Sequence, residues 1–190
     1  MKKAKITDKE VVVDILTTSF VHDPHIGFLL EKSRNKNKLR IIMDYVFEES
    51  FNKGEIYLND DNTAVALWNT STREKISWKY IWRNLSFLFQ IGLASTWRIL
   101  EMDKLVHMCH PHTGRFAHLY TIGVLPESRG KGYARKMIEF MTQKLSNTQT
   151  TLYLETANAT NIGIYNKLGF HVFHTIRKDG HKLFCMNRIC

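Results

Sequence analysis

Ser128-Arg129-Gly130-Lys131-Gly132-Tyr133-Ala134 lies between a strand-like run, Leu119-Tyr120-Thr121-Ile122-Gly123-Val124, and a helix-like run from Ala134 to Leu145. A strand, a glycine-rich loop and a helix start together make a site for a phosphate-bearing ligand. Backbone N–H groups at the helix N-terminus converge on an anion, and glycine lets the backbone approach it closely. Two nucleotide motifs fail against this stretch. A P-loop needs Gly-x-x-x-x-Gly-Lys-Ser/Thr, but Gly132 follows Gly130-Lys131 and the upstream glycine is missing. A dinucleotide fingerprint needs a third glycine where Arg135 stands.

The pattern that fits is Arg/Gln-x-x-Gly-x-Gly/Ala, carried by Arg129, Gly132 and Ala134 after a strand that ends in Val124 and Pro126. A second segment agrees with it. Leu152 to Thr156 alternates as a strand, and Thr160 to Leu168 reads as a short helix closed by Gly169. Asn161, Tyr165 and Leu168 fall at i, i+4 and i+7, on one helix face. The loop and this ending, Asn161-Ile162-Gly163-Ile164-Tyr165-Asn166-Lys167-Leu168-Gly169-Phe170, lie 36 residues apart (129 to 165), room for one helix and one strand. Together they resemble the GNAT superfamily of acyl-CoA-dependent N-acyltransferases over roughly residues 116–176.

That resemblance implies a mixed α/β fold with a central, mostly antiparallel twisted sheet flanked by helices. It implies acetyl-CoA as acyl donor, with its pyrophosphate on Arg129, Gly130, Lys131, Gly132, Tyr133 and Ala134. The backbone of Ile122 and Val124, with Gly123 between them, is expected beside the pantetheine arm. The Ile122 N–H is then the candidate donor to the thioester oxygen. Asn158 and Asn161 are alternative coenzyme contacts. Tyr165 matches the family's proton donor to the leaving thiolate, a role a neutral phenol with a pKa near 10 can fill. Its other reading is a packing contact with the coenzyme. An ammonium acceptor must also lose a proton, and Glu155, His118 or a chain of water are the candidate bases.

The 190 residues predict one domain with a sizeable core. Three cysteines, Cys109, Cys185 and Cys190, lack Cys-x-x-Cys spacing, which favours a reducing cytoplasm over a disulfide framework. The charge-free stretch Asn84 to Trp97 is shorter and more polar than the ~20 apolar residues of a membrane span and reads as a buried or interface helix. The net charge of +9 raises the local concentration of anionic ligands. The cluster Lys32, Arg34, Lys36, Lys38 and Arg40 reads as a solvated helix start, and no nucleic-acid module accompanies it. His107, Cys109, His110, His112 and His118 offer no second separated ligand pair, so they are assigned to a loop facing the acceptor and no metal is expected.

Along the chain, Lys3 to Ile6 suggests a strand and Thr7-Asp8-Lys9-Glu10 a capping box that opens a helix. Lys36 to Phe51 suggests a second helix, and Glu55 to Asn59 with Thr63 to Asn69 a hairpin. Residues 71–112 read as a helical insertion before the coenzyme-binding strand. Its Trp78, Trp82 and Trp97 suit a pocket wall, core packing or a dimer face. Phe170 to Ile176 and His181 to Arg188 form a final hairpin on Asp179-Gly180. The leading expectation is an N-acetyltransferase acting on a small-molecule or peptide amine by direct attack. A silent acyl-CoA-binding module and a nucleic-acid-associated basic protein are the alternatives.

Overall fold

The computed structural model describes residues 1–31, 35–70, 78–111 and 114–189. Lys32 and Arg34 of the basic cluster, residues 71–77, His112 and Cys190 lie outside the described residues, as does the side chain of Trp78. The elements run β1 (Lys2–Lys3), α1 (Lys9–Phe20), α2 (Pro24–Leu29), α3 (Lys36–Lys53), β2 (Gly54–Leu58), β3 (Ala64–Asn69), α4 (Trp78–Ile91) and α5 (Leu93–Cys109). They continue with β4 (Arg115–Val124), α6 (Tyr133–Leu145), β5 (Thr150–Thr156), α7 (Ala159–Asn166), β6 (His171–Lys178) and β7 (His181–Ile189). The strands form one seven-stranded sheet in the order β1-β2-β3-β4-β5-β7-β6. Among the described strands only β4 and β5 run parallel. This is the mixed, mostly antiparallel sheet that the sequence predicts.

Both faces of the sheet are covered, so its central strands are apolar in both directions. Val65 and Leu67 of β3 join α1 and α3 in one core. Ala64, Ala66 and Trp68 turn to the other face and meet Met137, Ile138 and Met141 of α6. Strand β5 divides likewise: Leu152 and Leu154 pack under α6, while Tyr153 faces Leu29 of α2 and Met102 of α5.

Three local expectations change. The first strand is only Lys2–Lys3, because Ile6–Asp8 winds into a 3₁₀ turn. Helix α1 therefore starts one residue after the expected Thr7 cap region, and the Asp8 carboxylate accepts the Lys5 N–H at 2.8 Å. The segment 84–97 is two helices broken at Gly92, whose φ is +91°, and it is not buried as a whole. Phe87 and Ile91 face the core, whereas Phe89, Leu93 and Trp97 are 87%, 87% and 71% exposed. His107 and Cys109 belong to α5 and not to a loop.

Gly54 joins α3 to β2 where no side chain fits. A Cβ there meets the Trp68 carbonyl oxygen at 1.8 Å. Because that oxygen is backbone within a paired strand, Gly54→Ala should destabilise the fold by at least ~2 kcal/mol. Denaturant unfolding measures it, and a loss under ~0.5 kcal/mol, the scale of an ordinary surface change, contradicts the packing.

Candidate active site

Strand β4 pairs with β5 along only half its length. Arg115 to Leu119 lie opposite Thr150 to Leu154 of β5, and the parallel ladder stops there. Tyr120 marks the divergence. Leu119 and Thr121 face the consecutive β3 residues Trp68 and Leu67, so Tyr120 is the extra residue of a bulge, a device that bends a strand. Gly123 answers a different need, since a Cβ there sits 3.1 Å from Leu16 and Ser19 of α1.

The register decides which backbone groups face the opening beyond Leu119. Leu125 N–H donates to Thr63 O at 2.9 Å, and Val124, Gly123 and Ile122 lie opposite Ala64, Val65 and Ala66. Hydrogen-bonded and non-bonded pairs alternate in an antiparallel ladder. Ile122 and Val124 therefore turn their N–H and C=O groups away from β3 and into the gap left by β5. An extended ligand can pair there as a strand does.

At one end of the gap lies the glycine loop. Gly130 and Gly132 adopt φ of +78° and +77°, a region that disfavours side chains. The first bond of α6 runs from Lys136 N–H to Gly132 O. The N–H groups of Tyr133, Ala134 and Arg135 have no intrahelical acceptor and form an anion cradle. The Arg129 side chain bonds the Ser19 and Val124 carbonyls at 3.2 and 3.4 Å, and the Tyr133 hydroxyl donates to Asp61 at 2.7 Å. These side chains brace the loop, leaving the backbone for a ligand.

At the other end His118 and Glu155, 37 residues apart in sequence, meet through His118 Nε2 and Glu155 Oε2 at 2.7 Å. Their side chains are 5% and 11% exposed. Burial pushes the Glu155 carboxyl up, but the facing His118, its hydrogen bond and Tyr153 outweigh this and hold it below the usual range. The carboxylate fixes the imidazole as an aspartate does in a hydrolase triad. With Nε2–H donated to Glu155, neutral His118 keeps its lone pair on Nδ1.

Tyr165 lies on α7 at 9% exposure, with its ring edge-on to Phe170. Burial first and the Asp23 charge second push its phenol up to about 12. Asn158 caps α7 by accepting the Thr160 N–H, and Asn161 donates weakly to Thr156 Oγ1 at 3.4 Å. Sequence reasoning missed the α2 side of the site. Asp23 caps α2 there, and a cleft of about 600 Å³ runs between α2 and the β6–β7 turn, lined by His22, Asp23, Phe28 and His181. Beside it His25 Nδ1 lies 2.9 Å from His181 Nε2. Burial, then the neighbouring His181, lowers the His25 pKa to about 4. Pro24 after Asp23 was a legible helix-start signal for this element.

Comparison with known proteins agrees with this geometry. Residues 93–172 match the model of the acetyltransferase (GNAT) domain. Mycothiol acetyltransferase of Mycolicibacterium smegmatis is 30% identical over 98 residues, which are 48% of this chain and 32% of that protein. The chain thus spans about a third of the length of this curated relative. A histone acetyltransferase HPA2 and related acetyltransferase from Corynebacterium glutamicum superposes with a TM-score of 0.68 at 19% identity, over 98% of this chain and 93% of that one. Arylalkylamine N-acetyltransferase 2 from Aedes aegypti gives 0.67 at 14% identity, over 99% and 97%. Over residues 93–172 the chain is thus similar to the GNAT acetyltransferase domain, and these residues include the glycine loop, β5 and α7.

Proposed function

We propose that the chain is an N-acetyltransferase domain that moves the acetyl group of acetyl-CoA onto a primary amine of a small molecule or peptide. The observation that carries this reading is the coincidence of three features along one gap in the sheet. They are an anion cradle at Gly130–Ala134, inward-facing Ile122 and Val124 backbone, and the His118–Glu155 pair beyond them. Acetyl-CoA supplies an activated thioester, and the chain supplies orientation and proton management. Amides of the glycine loop hold the pyrophosphate. The Ile122 N–H donates to the carbonyl oxygen as negative charge grows on it. His118, held by Glu155, accepts the proton of the attacking amine, and Tyr165 delivers one to the departing sulfur. The acceptor reaches His118 from the α2 side, where Asp23 offers a carboxylate. Cys109 and Cys185 are free thiols, which suits a reducing cytoplasm. No helix among the described residues is long and apolar enough to cross a membrane.

Release of free thiol from acetyl-CoA across an amine library tests the activity; absence of turnover with every amine, alongside CoA binding, supports the silent module instead. The cradle has its own test. Gly132→Asp adds a side chain and a negative charge where φ is +77° and phosphate must approach. CoA affinity should fall at least about tenfold, or 1.4 kcal/mol. Unchanged affinity by calorimetry in the folded variant removes the loop from the binding site.

A further inference from the structure

The acetyl-transfer reading leaves one neighbour of the His118–Glu155 pair unused. His110, just past the end of α5, brings its ring to 5.1 Å from that of His118. One ligand atom from each of His110, His118 and Glu155 lies within 4.8 Å of the others. Two imidazoles and a carboxylate are the protein ligands of many open zinc sites, whose fourth position is left to water or substrate. At bond lengths near ~2.0 Å, the ligand atoms of a tetrahedral site stand about 3.3 Å apart. The observed spacings reach that by side-chain adjustments on the order of 1 Å. The sheet fixes the two strand positions, with His118 opposite Tyr153 and Glu155 opposite Cys185. The His107 side chain is 62% exposed, and its ring lies 4.8 Å from that of His110.

We infer that His110, His118 and Glu155 bind a divalent transition-metal ion of the Zn²⁺ type, and that the bound ion blocks acetyl transfer. Mixed nitrogen and carboxylate ligands favour zinc or copper over magnesium, which prefers oxygen ligands and retained water. Binding replaces the His118–Glu155 hydrogen bond by two metal bonds. The Nε2 proton of neutral His118 moves to Nδ1, which then has no lone pair left for the amine proton. The blocking half rests on the function proposed above; the binding half does not. Spacing in the sequence could not reveal the site, because its third ligand is a glutamate on the next strand and not a second His or Cys pair.

Chelator-treated protein titrated with Zn²⁺ in a calorimeter tests the binding half, with Co²⁺ as a visible-band reporter of tetrahedral geometry. One equivalent should bind, and His110→Ala should weaken it at least about tenfold, since loss of even an outer partner costs that much. His110→Ala should keep the uninhibited acetylation rate while its zinc inhibition curve shifts by the same factor. His110→Asn serves if the alanine variant does not fold. Absence of binding, or binding indifferent to both His110 and Glu155 substitution, overturns the site. Zinc that binds through these residues yet leaves turnover unchanged overturns the blocking role. If no amine is acetylated at all, calorimetry still decides the site.

Discussion

Tyr165→Phe should bind CoA nearly as wild type does and turn over roughly 100-fold more slowly, the loss of a positioned acid. Phenylalanine keeps the ring that packs beside Phe170 and removes only the hydroxyl. That factor is about 2.7 kcal/mol of transition-state stabilisation. The pH dependence follows from the same residue. Its pKa is raised to about 12, so the proton-bearing form is fully present below that value and is lost only as pH rises through it. Tyr165 should therefore contribute no alkaline limb to kcat below about pH 11. The comparison needs an acceptor whose chemistry limits the rate. A loss confined to the KM for acetyl-CoA makes Tyr165 a binding residue, and wild-type turnover excludes it as the acid.

His118→Ala should lower kcat/KM for the amine by 100-fold or more, with CoA affinity intact, because it deletes the group proposed to take the amine proton. His118 is nearly sealed and paired to Glu155, so simple structural damage is the competing account. Added imidazole separates the two. It should restore part of the rate if the lost group is a base, and restore none if the variant is merely misfolded. Full activity without imidazole assigns the proton to water.

The loop and the Asn161–Phe170 ending were legible because both are local. Each motif lies within a single turn or helix, and glycines at fixed offsets report backbone demands directly. The mixed, mostly antiparallel character of the sheet followed the resemblance. Pairing across strands was not legible in the same way. Glu155 and His118 stood as rival bases in the sequence, and only the parallel register of β4 with β5 turns them into one hydrogen-bonded unit. Gly123 was legible only in part. A strand glycine announces that something comes close, and here that is Leu16 and Ser19 of α1. The charge-free run from Asn84 to Trp97 left burial and an interface role both open, because composition does not reveal which side of a helix faces out. Its outer side carries Phe89 and Trp97 in the open.

The parting of β4 from β5 also has a mechanical side. Beyond Leu119 the sheet is two flaps, β1 to β4 and β5 to β7, hinged along five paired residues. A strand-like guest laid between them closes the seam and shares its load. On the function proposed above, gripping the cosubstrate and holding the protein together become one act.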